Sequence, residues 1–308
     1  MHNWAINKEN IFICPVTGER LFFADNRLQS SKGTSYPVVD GIPILVQNYG
    51  EHLKRIEQLK KSHRGAWYSQ AQVDYYERGP YRHALEKRRE IVRKWLGWCC
   101  AELRETARDR PLIVLDQGCG DGASSRWIDS ALPDESRMLL TDYNFERIIR
   151  ARELLGTYRK VYFVSQVTRT PLLSASIDLV FSNHVIEHVP EDQTLLEEIH
   201  RILTPGGYLI LGCPTEGVFF WMLAYALSPS TIRKSDHLHF YNRRILVKMA
   251  EDAGLKHVET RRTGYGVPHW KIDLLIRRFK IVDDFLGVLG RIFFPDQASS
   301  IYLLFKKK

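Results

Sequence analysis

Leu112-Ile113-Val114-Leu115-Asp116-Gln117-Gly118-Cys119-Gly120-Asp121-Gly122 is the stretch that decides the fold. Its four leading apolar residues read as a short buried strand. Glycines at alternate positions then let the backbone turn tightly and approach a ligand closely. A helix-like stretch begins at Ala123. In an open α/β sheet, ligands bind at this place, where the first strand ends. The spacing is G-x-G-x-G, not the G-x-G-x-x-G of dinucleotide-binding turns. Asp116 stands two residues before the first glycine. A carboxylate there would repel a pyrophosphate and suits an amino-acid ammonium.

Outward from this turn the pattern repeats. Apolar runs follow at Met138 to Leu140, Val161 to Val164, Ile177 to Phe181 and Tyr208 to Leu211, with helix-like stretches between most of them. Such alternation implies right-handed crossovers and a parallel sheet covered on both faces. Residues 242–253 read as a further helix, Leu255 to Thr260 as a strand, and Ile301 to Phe305 as a last strand. The expected fold class is α/β: a doubly wound, mostly parallel seven-stranded sheet, with a small β-rich N-terminal domain and a helical linker. Asp142 closes the second run, twenty positions past Gly122. An acid there accepts both hydroxyls of a ribose or, alternatively, caps a helix. Tyr143 beside it offers a ring to an adenine face.

With these elements in place, the sequence resembles the class I S-adenosylmethionine-dependent methyltransferases, most closely their small-molecule branch. The resemblance runs from about Pro111 to Glu259 and rests on motifs in order: Leu115 to Gly122, Thr141-Asp142-Tyr143, Pro171-Leu172, Ser176-Ile177-Asp178-Leu179-Val180, Ser182-Asn183-His184-Val185-Ile186-Glu187-His188-Val189, Leu203-Thr204-Pro205-Gly206-Gly207-Tyr208-Leu209 and His237-Leu238-His239-Phe240-Tyr241. It implies S-adenosylmethionine as cofactor. Asp116, Gly118 and Gly120 would hold the methionine part, Asp142 the ribose and Tyr143 the adenine. The family usually has an acid five residues before the proline matched by Pro171, on the adenine amino group. Gln166 stands there instead, followed by Val167, and a glutamine oxygen accepts the same bond. Asn183 would offer its backbone carbonyl beneath the sulfonium.

The cofactor brings an activated methyl group, so the protein must align a nucleophile and exclude water. An oxygen nucleophile usually also needs a proton acceptor. His184, His188, His237, His239 and His269 are candidate bases. The resemblance places His188 and His237 nearest the substrate cleft, and these two are expected to be catalytic. His184-x-x-Glu187-His188 also has a zinc-protease spacing. That motif belongs on a helix, whereas here a parallel strand is ending, so the protease reading is set aside. Some methyltransferases of this fold bind a divalent cation through E-x-x-E-H here, but His184 replaces the first acid. No metal is expected.

Residues 1–50 are expected to form the small domain, 51–110 a basic helical linker and 111–308 the catalytic domain; the resemblance implies that the linker caps the cofactor and that a substrate lid lies at about 214–241. The first resembles the zinc-ribbon-like domain that activates some RNA and protein methyltransferases, through Cys14-Pro15, Leu21 and Tyr36 to Leu45. A zinc ribbon needs about four ligands, usually in C-x-x-C pairs. Thr17 stands three after Cys14 and no second pair exists, so a metal-free domain is expected. In the linker, Gly65, Gly79-Pro80 and Gly97 favour several short helices over one long one. Tyr68, Tyr75, Tyr76 and Tyr81, with Arg78 and Arg82, are candidates for a wall of the cleft.

At 308 residues, with 44% apolar and 26% charged side chains, the chain fits a globular protein and excludes wholesale disorder. Its net charge of +8 is uneven. Residues 51–110 carry fifteen basic and nine acidic side chains, including Lys87-Arg88-Arg89. This is either a solvated helix face or a docking surface for a phosphate-bearing partner. The longest uncharged apolar run, Val218 to Leu227, is about half of a membrane span. It reads as a core helix, a lid over an apolar substrate, or a shallow peripheral membrane contact. Five cysteines and no visible secretory leader favour a reducing cytoplasm. The leading function is methyl transfer to a small molecule, at oxygen, on a hydrophobic, lipid-linked or natural-product substrate. An RNA methyltransferase ranks second and a non-catalytic cofactor-binding module third. The oligomeric state is not legible.

Overall fold

The computed structural model describes residues 11–61, 82–107, 110–227, 237–267 and 269–308. Tyr68, Tyr75, Tyr76, Arg78 and Tyr81 of the expected cleft wall lie outside these, as do lid residues 228–236.

The central sheet has seven strands: β5 (Ile113–Gln117), β6 (Arg137–Asp142), β7 (Lys160–Val164), β8 (Ile177–Asn183), β9 (Leu203–Pro214), β10 (Leu255–Thr263) and β11 (Ser300–Lys307). Their order is β10-β11-β9-β8-β5-β6-β7. The strands from β9 through β7 are parallel, and β11 runs antiparallel between β9 and β10. Successive residues of a strand point to opposite faces. Leu115, Leu139, Val180, Leu211 and Leu303 thus enter one core. Val114, Leu140, Phe181, Ile210 and Leu304 enter the other. Burial of both faces explains why these strands read as unbroken apolar runs.

Helices close the two faces. On the first, α5 (Asp192–Ile202) buries Leu195, Leu196, Ile199 and Ile202, and α7 (Arg243–Asp252) buries Leu246 and Ala250. On the second lie α3 (Ser125–Asp129), α4 (Phe145–Leu155) and the long α2 (Arg82–Ala107). Helix α2 buries Val92, Trp95, Leu96, Cys99 and Leu103 along one stripe. It corrects the expectation that Gly97 breaks the linker. Gly97 sits mid-helix with nothing within 4 Å of where a Cβ would be. It lies on the open side, where a glycine lowers helix stability without ending the helix.

The N-terminal unit is a four-stranded antiparallel meander, β1 (Leu21–Ala24), β2 (Arg27–Ser30), β3 (Ser35–Val39) and β4 (Ile42–Pro43). It is docked on the edge of the large sheet. Ile44 bridges Val164 of β7 in parallel, and Leu45 N–H donates to the Val164 carbonyl at 2.8 Å. Ile13 N–H donates to Pro171 O (3.0 Å) and Leu173 N–H to Ile11 O (2.9 Å). The Phe12 ring meets Phe163 edge-on at 5.2 Å. Cys14 is buried with its Sγ 3.1 Å from the Tyr36 hydroxyl. All five cysteines are buried and unpaired.

After β4 comes α1 (Tyr49–Lys61). After β9 comes α6 (Phe219–Leu227). The inserted pair α8 (Trp270–Arg277) and α9 (Lys280–Phe293) lies between β10 and β11. In α6 only Tyr225 is buried, while Phe219, Met222, Leu223 and Leu227 are exposed. It is therefore not an ordinary core helix. No helix among the described residues is long and apolar enough to cross a membrane.

Candidate active site

The site forms at the carboxyl ends of β5, β6, β8 and β9, where the strand order reverses about β5. Gly118 and Cys119 N–H both donate to the Thr141 carbonyl of β6, at 2.8 and 2.9 Å. The turn is thereby pinned to the neighbouring strand. Gly118 has φ +77°, and a Cβ there would fall 2.4 Å from Val185 Cγ2. Gly120 has φ +55°, and its Cβ would fall 2.5 Å from the Arg147 guanidinium. Both positions need glycine for conformation, and Gly118 also for space. They leave a backbone cradle of the kind a nucleoside cofactor requires.

Asp116 is buried at the floor of this cradle, and Ser125 Oγ donates to its Oδ2 at 2.5 Å. Burial pushes its carboxyl up to about 7, opposed by the Ser125 bond and aided by the nearby Asp142 charge. A buried carboxyl facing a second carboxylate is suited to receive a cation. Asp142 Oδ2 accepts from Gly120 N–H at 2.9 Å and Oδ1 from Asn144 N–H at 2.8 Å. An ionised carboxylate has about four acceptor positions, so these two bonds orient it and leave others for hydroxyls. Asn144, not Asp142, caps α4, its side chain accepting from Glu146 N–H at 3.0 Å. Gln117 turns away and ties β5 to the next loop, donating to Val167 O (3.1 Å) and Thr170 Oγ1 (3.0 Å).

Tyr143 is half-buried, and burial raises its phenol pKa. His52 of α1 packs on it edge-on at 4.2 Å, and the Arg55 guanidinium lies 6.0 Å from its ring centre. Gln166 is exposed in the turn after β7, two residues beyond Val164, which pairs with Asp142. Val167 is partly buried against the core.

The ends of β8 and β9 carry the titratable groups. Asn183 is buried, and its Oδ1 accepts from Tyr302 Oη at 2.9 Å. Its side chain is thus committed to the core. His184 has φ +55°. Its Nε2 lies 3.3 Å from Arg88 Nη1 and its Nδ1 3.2 Å from Glu187 Oε1. A guanidinium only donates, so Nε2 accepts and Nδ1 carries the proton toward the carboxylate. Burial lowers the His184 pKa, against the opposing pull of Glu187. With its two nitrogens engaged by Arg88 and Glu187, His184 is a structural link, not a base. Glu187 is fully buried; desolvation opposes its charge, but His184, His188 and His237 outweigh it and hold its pKa down.

His188 and His237 are brought together, their rings meeting edge-on at 4.9 Å. His237 Nδ1 lies 2.6 Å from Oε2 of Glu216, just past the end of β9. With Glu216 as carboxylate, Nδ1 donates and Nε2 is the nitrogen able to take a proton. Glu216 is buried and borders Tyr225 of α6, whose phenol pKa is raised by burial and then by that carboxylate. Glu187, His188 and His237 each bring one potential ligand atom within 4.8 Å of the others. His239 instead pairs with the Val189 carbonyl (3.0 Å) and stacks on Tyr241. His269 precedes α8 and is exposed. Glu216 and His52 were missed by sequence reasoning, and Arg88, read there only as part of a basic segment, instead bonds Ser300 and His184. Only Glu216 carried a signal, an acid just beyond a strand's carboxyl end, as at Asp142.

Residues 115–211 match the family model described as a methyltransferase domain. These residues are similar to that domain and span β5 through most of β9. The chain is 33% identical over 106 residues to a trans-aconitate 2-methyltransferase from Azoarcus sp. (strain BH72), covering 34% of this chain and 40% of that one. It is 32% identical over 105 residues to a malonyl-[acyl-carrier protein] O-methyltransferase from Hamiltonella defensa, covering 34% and 38%. The chain thus spans less than half the length of these two relatives. Among solved structures, the Haemonchus contortus phosphoethanolamine N-methyltransferase 2 with S-adenosyl-L-methionine aligns over 77% of this chain and 60% of its own, at 18% identity and TM-score 0.48.

Proposed function

We propose that this protein transfers the methyl group of S-adenosylmethionine to an oxygen of a small, hydrophobic molecule, with His237 as the proton acceptor. The observation that carries this is the 2.6 Å contact of His237 Nδ1 with the buried Glu216. A carboxylate on Nδ1 fixes the tautomer, aims Nε2 and stabilises the imidazolium once a proton arrives. The cofactor would supply the activated methyl group. The chain's own residues do the rest. The cradle of Gly118 and Gly120 with Asp116 holds the methionine part, and Asp142 the ribose hydroxyls. Tyr143, backed by His52, bounds the adenine side, with Gln166 and Val167 at its rim. The Asn183 carbonyl faces the reacting end. His188 packs on His237 and limits its rotation, and α6 shields the site from water. Catalysis by this route needs no metal. The O-methyltransferase among the relatives supports oxygen as the acceptor, and the exposed apolar side chains of α6 support a hydrophobic substrate.

The test is formation of demethylated cofactor with a panel of hydrophobic alcohols, phenols and carboxylic acids. His237→Ala and Glu216→Gln should each lower kcat by about 10²-fold or more, while calorimetric cofactor affinity stays within about two-fold. Undiminished turnover in both variants would remove the base from the mechanism. Absence of cofactor binding by the unaltered protein would remove the function.

A further inference from the structure

Helix α9 is built inside out. Its buried positions are Asp283, Gly287 and Gly290, one stripe at helical spacing. Asp283 is held there by Lys87 at 2.5 Å and Arg277 at 2.8 Å. Gly290 lies against the Tyr265 ring so closely that a Cβ would come within 2.3 Å of it. The outward stripe is Ile281 (84% exposed), Phe285 (60%), Val288 (45%) and Ile292 (65%). A helix on a water-facing surface shows the opposite arrangement. Ile272 and Leu275 of α8 extend the apolar face. At its other end Phe294 packs on Phe220 at 5.2 Å, joining it to the exposed side chains of α6. Exposed apolar side chains in such number along one helix face mark an interaction site.

Charge says what the surface meets. A groove of about 620 Å³ runs beside α9, between α2 and β10. Lys87, Lys94, Arg261, Arg262 and Arg291 line it with Glu90 and Asp283. Lys87 is paired with Asp283 and Asp284, Arg261 with Glu259 and Arg262 with Asp296, which leaves Lys94 and Arg291 as its main cations. Arg278 and Lys280 are exposed at the start of α9 and Arg291 near its end. Apolar side chains flanked by cations are what an interfacial helix offers to an anionic bilayer. A second copy fits less well. A two-fold contact places the same patch on both sides and would face these cations with their own kind.

We propose that the outward faces of α8 and α9 seat this protein on an anionic lipid bilayer. The apolar side chains enter the acyl boundary, and the groove beside α9 receives phosphate headgroups. This does not depend on the role given to His237 and is read without turnover. The experiment is co-sedimentation of the full chain with phosphatidylcholine vesicles, with and without phosphatidylglycerol. The unaltered protein should bind, more tightly with phosphatidylglycerol and less tightly as salt is raised. Ile281→Ser/Phe285→Ser/Ile292→Ser should weaken binding at least about ten-fold with unchanged cofactor affinity and melting temperature. Lys94→Glu/Arg291→Glu should abolish the preference for phosphatidylglycerol. Failure of the unaltered protein to bind vesicles would overturn the proposal. So would equal binding by the triple variant, or light scattering that finds a dimer which this variant converts to monomer. Salt-sensitive retention of RNA without vesicle binding would assign the groove to nucleic acid instead.

Discussion

Asp142 spends one oxygen on the glycine turn and the other on the start of α4. Asp142→Ala should therefore lower cofactor affinity about ten- to hundred-fold, the loss of charged hydrogen bonds; calorimetry measures it, and unchanged affinity would remove the ribose assignment. Asp116 gives a pH signature. Its folded-state carboxyl sits near 7, against about 3.9 in an unfolded chain. Between those values the folded state holds the proton and the unfolded state does not, so this group's contribution to stability falls as pH rises. Asp116→Asn should flatten that fall in melting temperature between about pH 4 and 7. An ammonium arriving beside Asp116 lowers its pKa again, so cofactor binding near neutral pH should release protons. Calorimetry in buffers of different ionisation enthalpy detects this, and no release would place the ammonium elsewhere. The proposed cofactor residues are legible in the sequence because a strand, a turn and the next strand's end are local, ordered signals. Glu216 and His237 are not legible as a pair. The strand end and the stretch that bring them together are 21 residues apart, and neither residue names the other.

At the scale of elements, buried strands were legible because a parallel sheet covered on both faces leaves unbroken apolar runs. Helix α2 was misjudged, because glycine signals a break only where the neighbouring side chains leave the helix unsupported. Here Trp95, Leu96, Cys99 and Cys100 surround Gly97 with buried contacts. The helix is held by its packed stripe and not by propensity. Leu96→Ala should accordingly cost about 2–5 kcal/mol of stability, read as a shift of the denaturant midpoint at constant slope. A loss below ~1 kcal/mol would mean that α2 is not part of the core. The α8–α9 insertion is not among the elements read from the sequence. Its apolar residues are obvious in the sequence, but which stripe faces inward depends on Lys87, Arg277 and Tyr265.

At the scale of the molecule, the seven strands follow from the alternation of apolar runs and helices, while their order and the seating of the N-terminal unit do not. Cys14, Leu21, Leu28 and Tyr36 join the same apolar cluster as Leu115 and Phe163. That shared core seats the unit against the large sheet. Exhaustive treatment with a chelator should leave the melting temperature and the methyl transfer unchanged. A drop in either would show that Cys14 or the group at His188 holds an ion.

The bridge from Ile44 to Val164 also closes off a flank. A terminal strand such as β7 otherwise displays a ladder of amide groups onto which another polypeptide can add. Here the meander sits where such growth would begin. Deleting it would turn a covered flank into a template, and the shortened protein would tend to polymerise strand upon strand.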